Sequence, residues 1–388
     1  MALRLLLGGH ASRQLSCFRH GWRSFAAANA HSISMMSQPS KMCTGVATSV
    51  ALGLVMSVTT GPSAVHAEEA AKVADAQTGA QRKARVALVQ MTAVNDKDKN
   101  FAACSERVKE AKALGCDMVC FPECFSFIGA RPGEAQKAAE DVAGPTIQRY
   151  CALAAEHGLW LSLGGFQEKG PTDDKQGRIY NTHLIISAEG EVQATYRKIH
   201  LFDVPMTGLV ESSQALPGSS LVSCSSPAGV LGVTVCYDLR FPELYQKLTF
   251  LHGATVLLVP SAFAMKTGEA HWETLLRSRA IETQCYVLAA AQVGQHNEDG
   301  NKRKSWGHSL AVDPWGKILA DLGGTEPGMA VIEIDEELVA NTRRNMPMAA
   351  HRRYDLYGGP PFAMEDESAV AEARKAVEAE KKQGAFFG

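Results

Sequence analysis

From residue 85 onward the chain runs through one order of elements twice, and that repetition limits the folds open to it. The first pass reads as a strand at 85–90, a helix at 98–114 with Phe101, Cys104, Val108 and Ala111 on one face, a strand at 118–121, a second helix, a strand at 159–163 and a hairpin over 180–196. The second helix has Pro145 near its start and Gly158 near its end, the usual asymmetry of a helix. The second pass reads as a strand at 230–235, a helix at 242–252, a strand at 255–259, a helix at 270–283 with Trp272, Leu275 and Leu276 apolar, a strand at 286–291 and a hairpin through the Asp313-Pro314-Trp315-Gly316 turn. Each pass makes a small sheet whose helices cover one face, so the two bare faces must meet. The expected fold is α/β, a four-layer α-β-β-α sandwich with a pseudo-twofold internal repeat.

In such a sandwich the loops at the strand ends can build a pocket, and three strand ends carry reactive groups. The apolar run Val230-Leu231-Gly232-Val233-Thr234-Val235 stops at Cys236, with a helix beginning a few residues later. A thiol at a strand-to-helix turn has backbone N–H groups and a helix N-terminus beside it, which favour thiolate. Cys236 is therefore a nucleophile or a buried core cysteine. Glu123 follows the strand end at Phe121-Pro122, flanked by Cys124 and Phe125, and desolvation there is expected to raise its pKa toward that of a useful base. Lys198 ends another strand beside Arg197 and would be a fixed cation that also favours the thiolate. Taken singly, Glu123 and Lys198 read equally as solvated strand-end charges.

Together, the stretches 121–123 (Phe-Pro-Glu), 196–204 (Tyr-Arg-Lys-Ile-His-Leu-Phe-Asp-Val) and 236–244 (Cys-Tyr-Asp-Leu-Arg-Phe-Pro-Glu-Leu) resemble the Glu, Lys and Cys motifs of the nitrilase, or carbon–nitrogen hydrolase, superfamily over about 84–357. The resemblance implies the nitrilase fold, with Glu123 as general base, Lys198 stabilising the oxyanion and Cys236 forming a thioester. Glu211 matches the second family glutamate, which orients the lysine and the substrate. Further stretches resemble the Nit branch, whose members are amidases: 161–168 (Leu-Ser-Leu-Gly-Gly-Phe-Gln-Glu), 260–263, 270–273 and 279–287. That likeness implies hydrolysis of a terminal amide of deaminated glutathione with release of ammonia, with an omega-amidase acting on 2-oxoglutaramate or 2-oxosuccinamate as the alternative. Nitrilases, carbamoyl-amide hydrolases and a non-catalytic interaction protein on a hydrolase scaffold are the remaining readings. No metal or organic cofactor is implied, and the partner is a small-molecule amide. Substrate contacts are expected at Arg240, Tyr237, Phe263 and Thr267. Arg240 suits a substrate carboxylate or, equally, a structural salt bridge. Two sandwiches of this family commonly join through helices, which implies a homodimer or a larger homo-oligomer.

A formal charge of −2 gives no basic balance to suggest nucleic acid. The 10 cysteines include Cys116, Cys120 and Cys124 at four-residue spacing, which forms no paired metal knuckles, so they are read as reduced and mostly buried. No Asp or Glu precedes Glu68, while Arg4, Arg13, Arg19 and Arg23 lie among Leu, Ser and Ala. Residues 1–67 thus read as an organellar leader, mitochondrial first and plastid second, without a fold of its own. Met35, Met36 or Met42 as alternative starts would give a cytoplasmic form. The uncharged stretch 43–60 is a weak candidate for a span or a second sorting signal, and a membrane role in the mature form is not expected. Residues 68–83 read as a linker, 84–357 as the hydrolase domain, and 358–388 as a charged, solvated tail.

Overall fold

The computed structural model describes residues 83–204 and 209–357; the leader, nearly all of the linker and the tail lie outside the described residues. The first pass folds as β1 (Ala84–Met91), α1 (Lys97–Ala113), β2 (Met118–Phe121), α2 (Glu134–Ala138), α3 (Pro145–His157), β3 (Trp160–Lys169), β4 (Ile179–Ile186) and β5 (Val192–Arg197). Two short pairing strands, β6 (Asp203–Val204) and β7 (Leu209–Val210), and then β8 (Ser223–Ser226) lead to the second pass. This comprises β9 (Gly229–Val233), α4 (Pro242–Phe250), β10 (Val256–Leu258), α5 (Met265–Thr283), β11 (Tyr286–Ala289), β12 (Ala291–Gln295), β13 (Lys304–Trp306), β14 (Leu310–Val312) and β15 (Ile318–Asp321). The strand β16 (Gly328–Ile334) and the helices α6 (Glu336–Asn345) and α7 (Tyr354–Tyr357) close the described chain.

The doubled order is borne out in space. One sheet contains the run β1-β2-β3-β4-β5 and the other β9-β10-β11-β14-β15, so corresponding strands occupy corresponding places. In both runs the first three strands are parallel, as strands joined through helices must be, and the hairpin adds two antiparallel ones. The correspondence extends to a pair of exchanged strands. β8, which follows the first pass, lies antiparallel beside β9 in the second sheet. β16, which follows the second pass, lies antiparallel along β1 in the first, from Ala84↔Ile334 to Gln90↔Gly328.

Period-two alternation distributes the core into the layers between sheets and helices. Val86 and Leu88 of β1 face Val256, Leu258 and Leu288 of the other sheet between the two sheets. Their neighbours Ala87 and Val89 turn the other way, onto Cys104, Val108 and Ala111 of α1 and Ile147, Tyr150 and Leu153 of α3. In the second sheet Leu257, Val259 and Val287 face Leu244 and Leu248 of α4 and Trp272 and Leu276 of α5. Each fully buried Val, Leu or Ile among these stabilises the fold by about 1.5–3 kcal/mol. The architecture is the α-β-β-α sandwich.

Local signals explain the helix ends. Asp96 caps α1 by accepting from Asp98 N at 3.0 Å and Lys99 N at 3.1 Å. Pro145 opens α3, and Gly158 closes it at φ 59°. Helix α5 begins at Met265 rather than at 270 and takes in Gly268, a weak helix former whose missing Cβ is needed there, since a Cβ at that position would lie 2.1 Å from Trp306 Cγ. The eight described cysteines are all free; Cys104, Cys116, Cys120 and Cys285 are buried and the other four half-buried. No helix among the described residues is long and apolar enough to cross a membrane.

Candidate active site

β9 ends at Val233, and Cys236 begins a short 3-10 turn, Cys236–Arg240. Its backbone sits at φ 49°, a left-handed conformation that costs a residue with a Cβ on the order of 1–3 kcal/mol. Two anchors hold it there. Cys236 N donates to Pro260 O at 2.9 Å. Asp238, fully buried, accepts from Val235 N at 2.9 Å, Tyr196 OH at 2.7 Å and His200 Nδ1 at 2.8 Å. The nucleophile's turn in the second sheet is thus fastened to the end of the first.

Glu123 and Lys198 arrive from the first sheet. Glu123 follows β2, and the loop beside it crosses Gly164 and Gly165, where β3 bulges between Leu163 and Phe166. A Cβ on Gly165 (φ 69°) would lie 2.6 Å from Glu123 Cγ, and one on Gly164 would lie 2.1 Å from Pro260 Cβ. The two glycines therefore let β3 pass beneath the carboxylate and beneath the loop that holds Cys236. Lys198 follows β5, its N–H fixed on Asn181 O at 2.9 Å. Arg197 turns away to Glu168 while Lys198 turns inward, as successive strand residues do.

Lys198 Nζ lies 3.3 Å from Glu123 Oε1 and 2.8 Å from Glu211 Oε2, with all three side chains largely buried. Asn181 Nδ2 donates to Glu123 Oε1 at 2.8 Å and to Glu211 Oε1 at 3.3 Å, Ala262 N to Glu123 Oε2 at 2.9 Å, and Phe202 N to Glu211 Oε2 at 2.7 Å. An ammonium has three N–H donors. Glu123 Oε1 and both Glu211 oxygens take up all three, so a substrate oxygen has to share or displace one of these bonds.

Two electrostatic expectations are corrected. Burial pushes Glu123 upward, but the Lys198 charge, the Cys236 thiol, Arg303 and the Asn181 amide outweigh it, and the carboxyl sits below the usual range. Burial, then the Glu123 charge, pushes the Cys236 thiol well above its usual value, which Lys198 only partly offsets. Burial pulls Lys198 down, but Glu211 and Glu123 hold it well above an ordinary lysine. The resting site is therefore carboxylate, ammonium and thiol rather than carboxylate, ammonium and a preformed thiolate.

All eight residues picked out in the sequence line one cavity of about 680 Å³, a size typical of small-ligand sites. Tyr237 packs edge-on against Phe202, Phe263 lies against Trp272 with centroids 4.7 Å apart, and Thr267 Oγ1 donates to Ala264 O. Arg240 makes no ion pair with a carboxylate among the described residues, and its Nη1 lies 3.2 Å from His271 Nδ1. Sequence reading missed Asn181, which bridges the two glutamates from inside a hairpin strand, and Arg303, which sits in a basic run indistinguishable from a solvated loop. No cluster of three or more metal-ligating side chains occurs among the described residues.

The carbon–nitrogen hydrolase family model matches residues 85–344. The chain belongs to the carbon–nitrogen hydrolase family. Among its relatives are the deaminated glutathione amidase of Homo sapiens, 49% identical over 70% of this chain and 83% of that protein, and that of Dictyostelium discoideum, 47% identical over 70% and 95%. This carbon–nitrogen hydrolase is also similar in structure to the C. elegans NitFhit protein, with TM-score 0.66 and 44% identity over 72% of this chain and 67% of that one. Nit3 of Saccharomyces cerevisiae, a member of branch 10 of the nitrilase superfamily, gives TM-score 0.62 and 32% identity over 70% and 97%. The nitrilase fold places this carbon–nitrogen hydrolase's Glu123, Lys198 and Cys236 at three strand ends around one cavity.

Proposed function

We propose that the protein is an amidase acting on deaminated glutathione through a thioester on Cys236. The observation that carries the reading is the buried Glu123–Lys198–Glu211 cluster facing the Cys236 thiol at one cavity. Glu123 takes the thiol proton as sulfur attacks the amide carbonyl, and Lys198 with the Tyr237 N–H stabilises the oxyanion. The C–N bond then breaks, and Glu123 returns the proton to the departing nitrogen. Water attacks the thioester and gives a proton to Glu123, the C–S bond breaks to release the acid, and the proton returns to sulfur. Glu211 keeps Lys198 charged and aimed.

The expected release of ammonia from deaminated glutathione is corrected by its chemistry: the amides of a glutathione skeleton are secondary, so the nitrogen leaves as the amine of an amino acid or dipeptide. Ammonia is the leaving group for the alternative substrate, 2-oxoglutaramate, a primary amide. That difference provides the test. Purified enzyme is given each substrate at matched concentration, with ammonia and free amine measured separately and the Cys236 peptide weighed after acid quench. A kcat/KM at least about tenfold higher on deaminated glutathione, with an acyl mass on Cys236, supports the reading. Faster ammonia release from 2-oxoglutaramate overturns the substrate, and an unmodified Cys236 during turnover overturns the mechanism. Delivery of the chain to mitochondria by residues 1–67, and a homodimeric or larger assembly, belong to the same reading and are tested by a reporter fusion and by light scattering.

A further inference from the structure

The cavity holds more positive charge than this chemistry uses. Lys198 is matched by Glu123 and Glu211, yet two guanidinium groups line the same cavity without an ion pair to a carboxylate among the described residues, Arg240 and Arg303. They come from different elements and are fixed on consecutive residues of one segment. Arg240 is the last residue of the Cys236 turn, with its guanidinium 5.7 Å from the centre of the Phe263 ring. Arg303 immediately precedes β13, and its Nη2 donates to Ala262 O at 3.1 Å.

The loop that carries Arg303 is built rather than loose. Asn301 N donates to Ala130 O at 2.9 Å, and His296 N donates to Arg303 O at 3.0 Å. Gly300 at φ 75° comes so close to Ala130 that a Cβ would lie 2.2 Å from its carbonyl oxygen. The Arg303 charge also reaches into the site, being among the groups that lower Glu123. A guanidinium with one N–H given to a carbonyl keeps four donors, and its best partner is a carboxylate.

We propose that Arg303 is a specificity-determining residue which, with Arg240, makes the cavity a reader of two anions, selecting amides that carry a carboxylate on each side of the scissile bond. This rests on the amidase reading above. Deaminated glutathione has two such carboxylates, one on its oxo-acid end and one on its glycine, whereas 2-oxoglutaramate has one.

The test compares full-length wild type, Arg303→Gln, Arg303→Lys and Arg240→Gln on both substrates. One charge-assisted contact corresponds to roughly tenfold to a hundredfold in kcat/KM. Arg303→Gln should lose that factor on deaminated glutathione, mostly in KM, and less than about threefold on 2-oxoglutaramate, with partial recovery in Arg303→Lys. Equal losses on both substrates would mean that Arg303 acts through Glu123, and no loss on either would mean that it is only a loop residue; either result overturns the proposal. A second arm needs no turnover: protection of Cys236 from iodoacetamide by N-glutarylglycine, which has two carboxylates, against N-butyrylglycine, which has one. Preference for the two-carboxylate ligand in wild type, abolished in Arg303→Gln, supports the two-anion reader, and equal protection by both overturns it. If wild type fails to cleave deaminated glutathione, the functional reading falls and this arm alone decides the role of Arg303.

Discussion

The two halves of the sandwich have the same strand order and opposite fates at their strand ends. In the first half β2 and β5 deliver Glu123 and Lys198, and in the second β9 delivers Cys236. The corresponding ends do structural work. After β1, Thr92 Oγ1 donates to Val293 O at 2.7 Å; after β10, Pro260 O accepts the Cys236 N–H; at the end of β15, Asp321 pairs with half-exposed His308. A doubled scaffold thus supplies twice as many strand ends as the chemistry uses. What separates a catalytic end from a structural one is which side chain stands there and whether charge is buried with it.

The comparison breaks most visibly at the two first-strand ends. Cys236→Ala should lower turnover by at least about 10⁴-fold, since members of such a unit act together. Its counterpart Thr92→Ala should cost only about 1 kcal/mol in unfolding and leave kcat within about threefold. Kinetics and chemical denaturation of both variants check this, and residual turnover above one percent in Cys236→Ala would remove the nucleophile assignment.

At the hairpin ends, Lys198→Met should lower kcat by on the order of a hundredfold or more and destabilise by about 3–5 kcal/mol, because it leaves Glu123 and Glu211 buried without a cation. Asp321→Asn should change stability by under about 1 kcal/mol, as expected for a solvent-screened pair. Similar melting losses in the two variants would contradict the burial argument.

A subtler contrast uses two glycines with nearly the same φ. Gly165 and Gly323 have φ 69° and 70°, but only a Cβ at Gly165 meets other atoms, at Glu123 and Cys124. Gly323→Ala should cost about 1 kcal/mol of backbone strain alone. Gly165→Ala adds displacement of the carboxylate, so its kcat should fall by about tenfold or more while Gly323→Ala stays near wild type.

The smallest effect is in pH. Burial lowers His183 and His296 to about 4, so the unfolded chain takes up their protons before the folded one does. Stability is then fully present above about 6.5 and declines as pH falls toward about 4. Against burial, chiefly the Lys198 charge holds Glu123 below the usual carboxylate range, so activity lost in the upper part of that window should follow unfolding rather than protonation of the carboxylate. Parallel melts and initial rates check this, and His183→Gln should flatten part of the slope.

Much of this could be read from the chain. The doubled order of strands and helices shows the layers, since helices that cover one face of each sheet leave the two bare faces to meet, and the motif glycines at 164 and 165 gain their reason only from the bulge they occupy. β8 was illegible because Ser223-Cys224-Ser225-Ser226 carries almost no strand propensity and is held by β9. β16 carries the apolar run Met329-Ala330-Val331-Ile332, yet its partner lies in the first sheet, and no local pattern reports which edge a strand will join. The sign of the Glu123 shift was misread for a related reason. Desolvation can be guessed from apolar neighbours in the sequence, whereas the cations that overturn it, Lys198 and Arg303, arrive from distant segments.

The exchanged strand β16 also has a consequence for synthesis. Residues 328–334 are among the last of the described chain to leave the ribosome, and they line β1, the first of the described strands to be made, from Ala84 to Gln90. Glu123, Lys198 and Cys236 have all been translated while β1 still lacks that edge, and closing a loop of this length is entropically slow to be rewarded. The first sheet is therefore complete only once residue 334 has been made. Chains truncated before residue 328 should carry every reactive group and hydrolyse nothing, and a peptide of 328–345 added in trans should restore part of the activity.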